Sequence, residues 1–219
     1  MRAGAQAGSG GGGPGLRGAG GVWYKIRMNL ICEKTAIPGV LLFTPKAFGD
    51  ERGFFIQTYQ TREYAAAGLE AAFVQDNMSR SCAGTVRGLH YQLKNPQAKL
   101  VSVLRGRVLD VAVDIRRGSP WFGQHVAVEL SEENRRQFFI PRGFAHGFRV
   151  LSESADFFYK CDNFYTPGDE YGIRWNDAAL GIDWLWSPGE AQAALTSPKD
   201  LAAPALAEVP EANLPVYAG

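Results

Sequence analysis

Two of the three histidines lie in segments whose spacing suits chemistry. His90 falls in Gly84-x5-His90-x-Gln92, and His146 in Pro141-x-Gly143-x-x-His146. An imidazole, with an ordinary pKa of about 6.5, can take up a proton or bind a metal near neutral pH. The bland alternative is a pair of hydrogen-bonded core histidines. The third, His125, sits in a Gln-His-Val run and reads as a bystander. A cationic and aromatic set accompanies these residues: Arg52, Arg87 and Lys99, with Phe54, Phe55, Tyr159 and Tyr165 available for stacking. Lysine and arginine gain charge-assisted hydrogen bonds from an anion, and arginine can make them in pairs. The chain has no P-loop and no G-x-G-x-x-G fingerprint, so a phosphate would be held by side chains.

The elements that must position these groups read as strands. From Leu30 onward, short apolar runs alternate with Gly, Pro and Asn/Asp punctuation. Residues 40–45, 53–59, 85–92, 100–104, 108–115, 123–130, 136–140, 147–151 and 156–162 form the series. Within 108–115 the side chains alternate with a period of two. Arg105-Gly106-Arg107 predicts a tight turn with glycine at a positive φ. One helical run, Thr61–Ala67, is closed by Gly68. Strand-like runs at such regular spacing predict an all-β sandwich or barrel with a few short peripheral helices. The Ala/Pro-rich tail from Ala191 to Gly219 predicts short helical or irregular pieces.

Composition narrows the function classes. The chain has 219 residues, 46% hydrophobic and 21% charged, as an ordinary globular protein has. A net charge of +1 offers no bulk field for nucleic acid or an anionic membrane, and no apolar run is long enough to span a bilayer. Three cysteines without C-x-x-C spacing argue against a disulfide framework and a zinc site, and fit a reducing compartment. Residues 1–27 are glycine-rich, carry four positive charges and no acid, and lack the apolar core of a secretory signal. They read as a disordered extension, or as a start set upstream of Met28, with one domain over 28–219 and its core over about 30–200. With no targeting signal, the expected location is the cytoplasm.

The two histidine motifs resemble those of the cupin superfamily, β-barrels of jelly-roll type. Metal-binding cupins use two His and a Glu from the first motif and one His from the second. Here Gln92 replaces the second His, and Gln97 stands at the Glu position. Amides are weak ligands for a divalent first-row metal, so the motifs predict a pocket without a metal or other cofactor. Further stretches bring a closer resemblance: Phe48-Gly-Asp-Glu-Arg-Gly-Phe-Phe55, Phe73-Val-Gln-Asp-Asn77, Val86-Arg-Gly-Leu-His-Tyr-Gln92, Lys99-Leu-Val101, Val111-Ala-Val-Asp-Ile-Arg116, Ile140-Pro-Arg-Gly-Phe-Ala-His-Gly-Phe148, Tyr159-Lys-Cys161, Gly172-Ile-Arg-Trp175 and Ser197-Pro-Lys-Asp200. In order and spacing, these resemble the dTDP-4-dehydrorhamnose 3,5-epimerases.

The resemblance implies inversion at C3 and C5 of a 4-keto-6-deoxyhexose carried on dTDP. Both carbons lie α to the C4 ketone, so either proton can leave to give an enolate. Inversion then needs a base on one face, an acid on the other, and a cation near the C4 oxygen. The resemblance places the base at His90 with Asp200 as its partner, the enolate stabiliser at Lys99 and the acid at Tyr159. It places diphosphate or sugar contacts at Arg52 and Arg87, and a substrate contact at His146. Gln75, Asp76, Asn77, Glu170 and Lys199 match nucleotide or sugar contacts, and Tyr165 matches the aromatic that stacks on thymine. Gln57 stands where the family commonly has Glu, which bears on substrate detail more than on the reaction. Asp110 and Asp114, which the family does not use chemically, read as structural or surface acids. A homodimer that exchanges strands between barrels is also implied. The other readings are a C3-only or C5-only epimerase, a non-catalytic nucleotide-sugar-binding cupin and a metal-dependent cupin oxygenase.

Overall fold

A computed structural model describes residues 29–218 apart from Glu70 and Glu190. The glycine-rich stretch expected to be disordered lies outside these residues. The strands, in chain order, are β1 (Leu30–Lys34), β2 (Leu41–Pro45), β3 (Ala47–Asp50), β4 (Gly53–Ile56), β5 (Gln75–Cys82), β6 (Val86–Gln92), β7 (Lys99–Arg105), β8 (Arg107–Asp114), β9 (His125–Ser131), β10 (Gln137–Ile140), β11 (Phe144–Val150), β12 (Ser154–Cys161) and β13 (Glu170–Gly172). Two short helices, α1 (Thr61–Ala66) and α2 (Pro198–Leu201), and several 3-10 turns complete the described residues. The fold is the expected jelly-roll. One antiparallel sheet runs β1-β2-β10-β7-β12-β5, a second runs β13-β6-β11-β8-β9, and β3-β4 is a separate hairpin.

Alternation of side chains along each strand sorts the apolar residues into layers. Val101 and Val103 of β7, Ala112 of β8, Phe148 of β11 and Phe157 of β12 meet between the two sheets. Leu109, Val111 and Val113 point the other way from β8, where Trp175, Trp184, Leu206, Val209 and Leu214 cover them. The tail beyond residue 200 is thus part of the core. Tyr64 of α1 and Leu69 cover Leu41, Phe43 and Leu100 on the outside of the six-stranded sheet. Elsewhere on that face Met78 and Leu104 stay exposed.

Two close approaches explain glycines in the motifs. Gly106 turns β7 into β8 with φ of 76°, and a Cβ there would meet the Ser154 carbonyl at 2.0 Å. Between β6 and β11 a Cβ on Gly147 would meet the Arg87 carbonyl oxygen at 2.6 Å. That approach sets His90 directly opposite His146 in the paired register.

Strands β1, β3 and β13 lie outside the predicted series, and the longest one outside it is β5. Its inward residues are Gln75, Asn77, Ser79 and Ser81, and its outward ones include Met78 and Arg80. The inner face is polar because it lines a cavity, so the usual apolar alternation is absent.

Candidate functional site

The cavity opens between the sheets at one end of the sandwich, with about 680 Å³ of open space. Its walls are fixed by strand alternation. Lys99 of β7 and Tyr159 of β12 come from the six-stranded sheet; His90 of β6, His146 of β11 and Glu170 of β13 come from the five-stranded one. Residues distant in sequence converge because they occupy inward positions on neighbouring strands.

His90 and Asp200 form a close pair. The ring Nε2 lies 2.6 Å from Asp200 Oδ1, which leaves Nδ1 as the ring nitrogen free of that bond. The Asp200 carboxylate is 4% exposed. Its second oxygen accepts the Gly88 N–H at 3.3 Å, and its own N–H donates to Ser197 Oγ at 3.1 Å, the N-cap of α2. Burial acts to raise the Asp200 pKa, but the bonds and charge from His90 and the Gly88 N–H outweigh it and hold the carboxyl below its ordinary range. Asp200 is therefore an anion at neutral pH, able to orient His90 and stabilise its protonated form.

His146 has its own carboxylate. Its Nε2 lies 2.9 Å from Asp110 Oδ1, and Asp110 is fully buried. Desolvation lowers the His146 pKa despite the nearby Asp110 charge, so the ring is neutral at pH 7. This corrects the reading of Asp110 as a structural or surface acid: it is an interior partner of a cavity residue. The signal was present in β8, where Asp110 shares its face with Val108 and Ala112. Asp114 is also buried. It accepts a fork of bonds from Arg116 and one from Ser119, a structural role at the strand end.

On the opposite wall the Lys99 ammonium lies 5.7 Å from the centre of the Tyr159 ring. Lys99 is partly exposed as a residue, yet its ammonium is desolvated in the cavity, and this lowers its pKa below the ordinary lysine range. Burial raises the Tyr159 pKa, which keeps the phenol protonated. A base with an anionic partner faces a phenolic donor and a cation. Such a constellation can remove a proton, stabilise the resulting anion and return a proton from another side.

Around this centre, Arg87 donates to Ser81 at 3.1 Å and lines the same cavity. Glu170 pairs with Lys199, and the Tyr165 hydroxyl lies 3.5 Å from Glu170. Gln75 and Asn77 share the inward face of β5 and are joined by a 3.1 Å hydrogen bond. Asp76 points outward and pairs with Lys160 at 2.8 Å, so the fold does not bring it into this cavity. Arg52 and Gln57 also lie apart from it, on and after the β3-β4 hairpin. There Arg52 pairs with Asp50, and Gln57 donates to Glu63 at 3.2 Å. His125 lies on β9 against the backbone of Leu180.

The two amides at metal-ligand positions are committed elsewhere. Gln92 donates to the Asn95 carbonyl at 2.7 Å and accepts from the Thr166 N–H at 2.9 Å. Gln97 donates to the Asn163 carbonyl at 2.8 Å. This donor set does not suit a divalent first-row metal. All three cysteines are free thiols.

A family model described as dTDP-4-dehydrorhamnose 3,5-epimerase matches residues 34–208. The chain is 53% identical over 179 residues to the dTDP-4-dehydrorhamnose 3,5-epimerase of Salmonella typhimurium, covering 81% of this chain and 96% of that one. Among solved structures, the dTDP-6-deoxy-D-glucose-3,5-epimerase of Legionella pneumophila, in complex with dTDP-4-keto-L-rhamnose, is 50% identical with a TM-score of 0.82, covering 87% of this chain and all (100%) of that one. A 3'-monoepimerase from Streptomyces bikiniensis, in complex with dTDP-quinovose, is similar at 32% identity and a TM-score of 0.76, covering 84% of this chain and 92% of that one.

Proposed function

The chain belongs to the dTDP-4-dehydrorhamnose 3,5-epimerase family, and from that premise we infer that it converts dTDP-4-keto-6-deoxy-D-glucose to dTDP-4-keto-L-rhamnose. The observation that carries this reading is the opposition of the His90–Asp200 pair to Lys99 and Tyr159 across one cavity.

Each inversion moves one proton off a carbon and another onto its opposite face. His90 removes the proton α to the ketone; the C–H electron pair becomes the enolate C=C bond, and the carbonyl π pair moves onto the C4 oxygen. Asp200, held anionic by its bonds, stabilises the imidazolium. Lys99 supplies a fixed positive charge beside the C4 oxygen, where the enolate charge develops. Tyr159 then protonates the carbon from the other face, its raised pKa keeping it in the donor form. The C=C pair forms the new C–H bond as the ketone re-forms, and proton exchange with solvent restores the imidazole and the phenol before the second inversion. Both carbons are acidified by the same ketone, so no cofactor is required. His146, held neutral and oriented by Asp110, contacts the sugar. Arg87, Asn77, Glu170, Lys199 and Tyr165 hold the nucleotide and diphosphate, whose binding energy positions the sugar.

Arg52 and Gln57 act from a second copy of the chain. In a homodimer the β3-β4 hairpin reaches the partner's cavity. Its exposed Phe48, Phe54 and Phe55 are apolar surface that a partner would bury. Asp76 belongs to the same proposal, as a nucleotide contact completed on assembly. Residues 28–219 form the catalytic domain, preceded by an extension over 1–27. The proposed location is the cytoplasm, a reducing compartment in which three free thiols persist.

Tyr159→Phe tests the assigned acid. The variant should lose inversion at one or both carbons when its products are identified by NMR. Unchanged inversion at both would remove Tyr159 from this role.

A further inference from the structure

The loop that carries Tyr165 is held at four consecutive residues by glutamine amides rooted elsewhere in the barrel. The Asn163 carbonyl accepts from Gln97 Nε2 at 2.8 Å, and the Phe164 carbonyl from Gln92 Nε2 at 3.5 Å. The Tyr165 N–H donates to Gln75 Oε1 at 2.9 Å, and the Thr166 N–H to Gln92 Oε1 at 2.9 Å. Gln75 is itself braced, its Nε2 donating to Asn77 Oδ1 at 3.1 Å. Gln92 is 8% exposed and uses both polar atoms within the protein. Tyr165, by contrast, is 50% exposed, so packing does not fix it.

We propose that Gln75, Gln92 and Gln97 are positioning residues that preset the peptide frame of Tyr165, so that the site's affinity for the nucleobase, and not its rate of proton transfer, depends on them. This rests on the reading of Tyr165 as the base-stacking aromatic. An exposed loop that had to order on binding would lose about 1–2 kcal/mol of backbone entropy per residue at that moment. Held in advance, the ring meets the base without that cost. At Gln92 the amide donates and accepts at once, and at Gln97 it is the amide N–H that meets a carbonyl. A carboxylate of the same shape cannot donate. Gln97→Glu therefore keeps the volume but sets an anion against the Asn163 carbonyl.

The test compares wild type, Gln97→Glu, Tyr165→Ala and the double variant. Calorimetric titration gives the Kd for dTDP, steady-state assays separate KM from kcat, and thermal melts check folding. Gln97→Glu should raise the dTDP Kd and the substrate KM about fivefold, the worth of one hydrogen bond. Because Gln97 lines the same cavity as Lys99, kcat is read in Gln97→Met, which adds no charge, and should stay within about twofold. In the Tyr165→Ala background the same change should add little, because the ring it positions is gone. Unchanged dTDP affinity in Tyr165→Ala would overturn the stacking reading, and this proposal with it. If Tyr165→Ala weakens binding, the proposal is overturned by a Gln97→Glu that binds like wild type or that adds its full effect in the double variant, or by a Gln97→Met that lowers kcat with KM unchanged. Should Gln97→Glu not fold, Gln97→Met removes the donor without adding charge and carries the same comparison.

Discussion

Lys99 and Tyr159 are shifted by the same burial in opposite directions, and this sets a pH signature. Desolvation penalises the charged form, so the lysine pKa falls and the phenol pKa rises. In the proposed mechanism both must be protonated. Of the two, only the lysine has its protonated form disfavoured by burial, so the alkaline limb of the rate profile is predicted to follow Lys99. Lys99→Arg, if it retains activity, should move that limb to higher pH, because a guanidinium stays charged. A limb that stays in place in Lys99→Arg would mean another group controls it. A second prediction concerns the link between His90 and α2. Ser197→Ala removes the cap that accepts from the Asp200 N–H. Denaturant unfolding should show a loss of about 1 kcal/mol, and kcat should fall severalfold as Asp200 loosens. Unaltered kcat would separate the cap from catalysis. His90, Lys99, Tyr159 and Asp200 were legible in the sequence through family motifs. The pairing of Asp110 with His146 was not: the alternation of β8 puts Asp110 on the inward face, but its partner is 36 residues away.

At the scale of elements, the cavity depends on how closely β6 and β11 approach. Gly147→Ala would press a methyl group against the Arg87 carbonyl and the Gly88 Cα. The strands must separate, at a cost of about 1–3 kcal/mol, and His90 and His146 would part with them. A thermal melt and a kcat measurement on one sample check both effects; a variant as stable and active as wild type would contradict this. Most strands were visible from alternation, and Gly106 marked its turn correctly. What escaped was β1, an edge strand with one buried residue, β5, whose inward positions serve a polar cavity, and β13, only three residues long. The β3-β4 hairpin escaped in part: its aromatic residues are exposed in the single chain, so their spacing carried no burial pattern.

For the molecule as a whole, acid should act in two stages. The lowered pKa of His146 means that the unfolded chain binds a proton more readily. The stability that its neutral, buried ring contributes is lost as pH falls below the ordinary imidazole value of about 6.5 toward the lower folded value. Asp114 and Asp200 are likewise held low, so their contributions are intact above 3.8 and decline as pH drops below it. Melting temperature should fall modestly between pH 7 and about 5 and steeply below about 4; a flat profile down to pH 3 would contradict these assignments. The proposed dimer makes a separate prediction. Arg52→Ala and His90→Ala each damage a site, but from different protomers. Co-expressed, they should form mixed dimers with one intact site, recovering activity toward about a quarter of wild type. No recovery in verified mixed dimers would place both residues in one protomer's site.

The most direct measurement is hydrogen exchange into substrate in D2O. The protein is incubated with dTDP-4-keto-6-deoxy-D-glucose in the absence of any reductase, and deuterium at C3 and C5 is followed by NMR and mass spectrometry. Incorporation at both carbons, abolished in His90→Ala, is the predicted result. Incorporation at one carbon would make the protein a mono-epimerase. No incorporation despite binding of dTDP would contradict the proposed chemistry altogether.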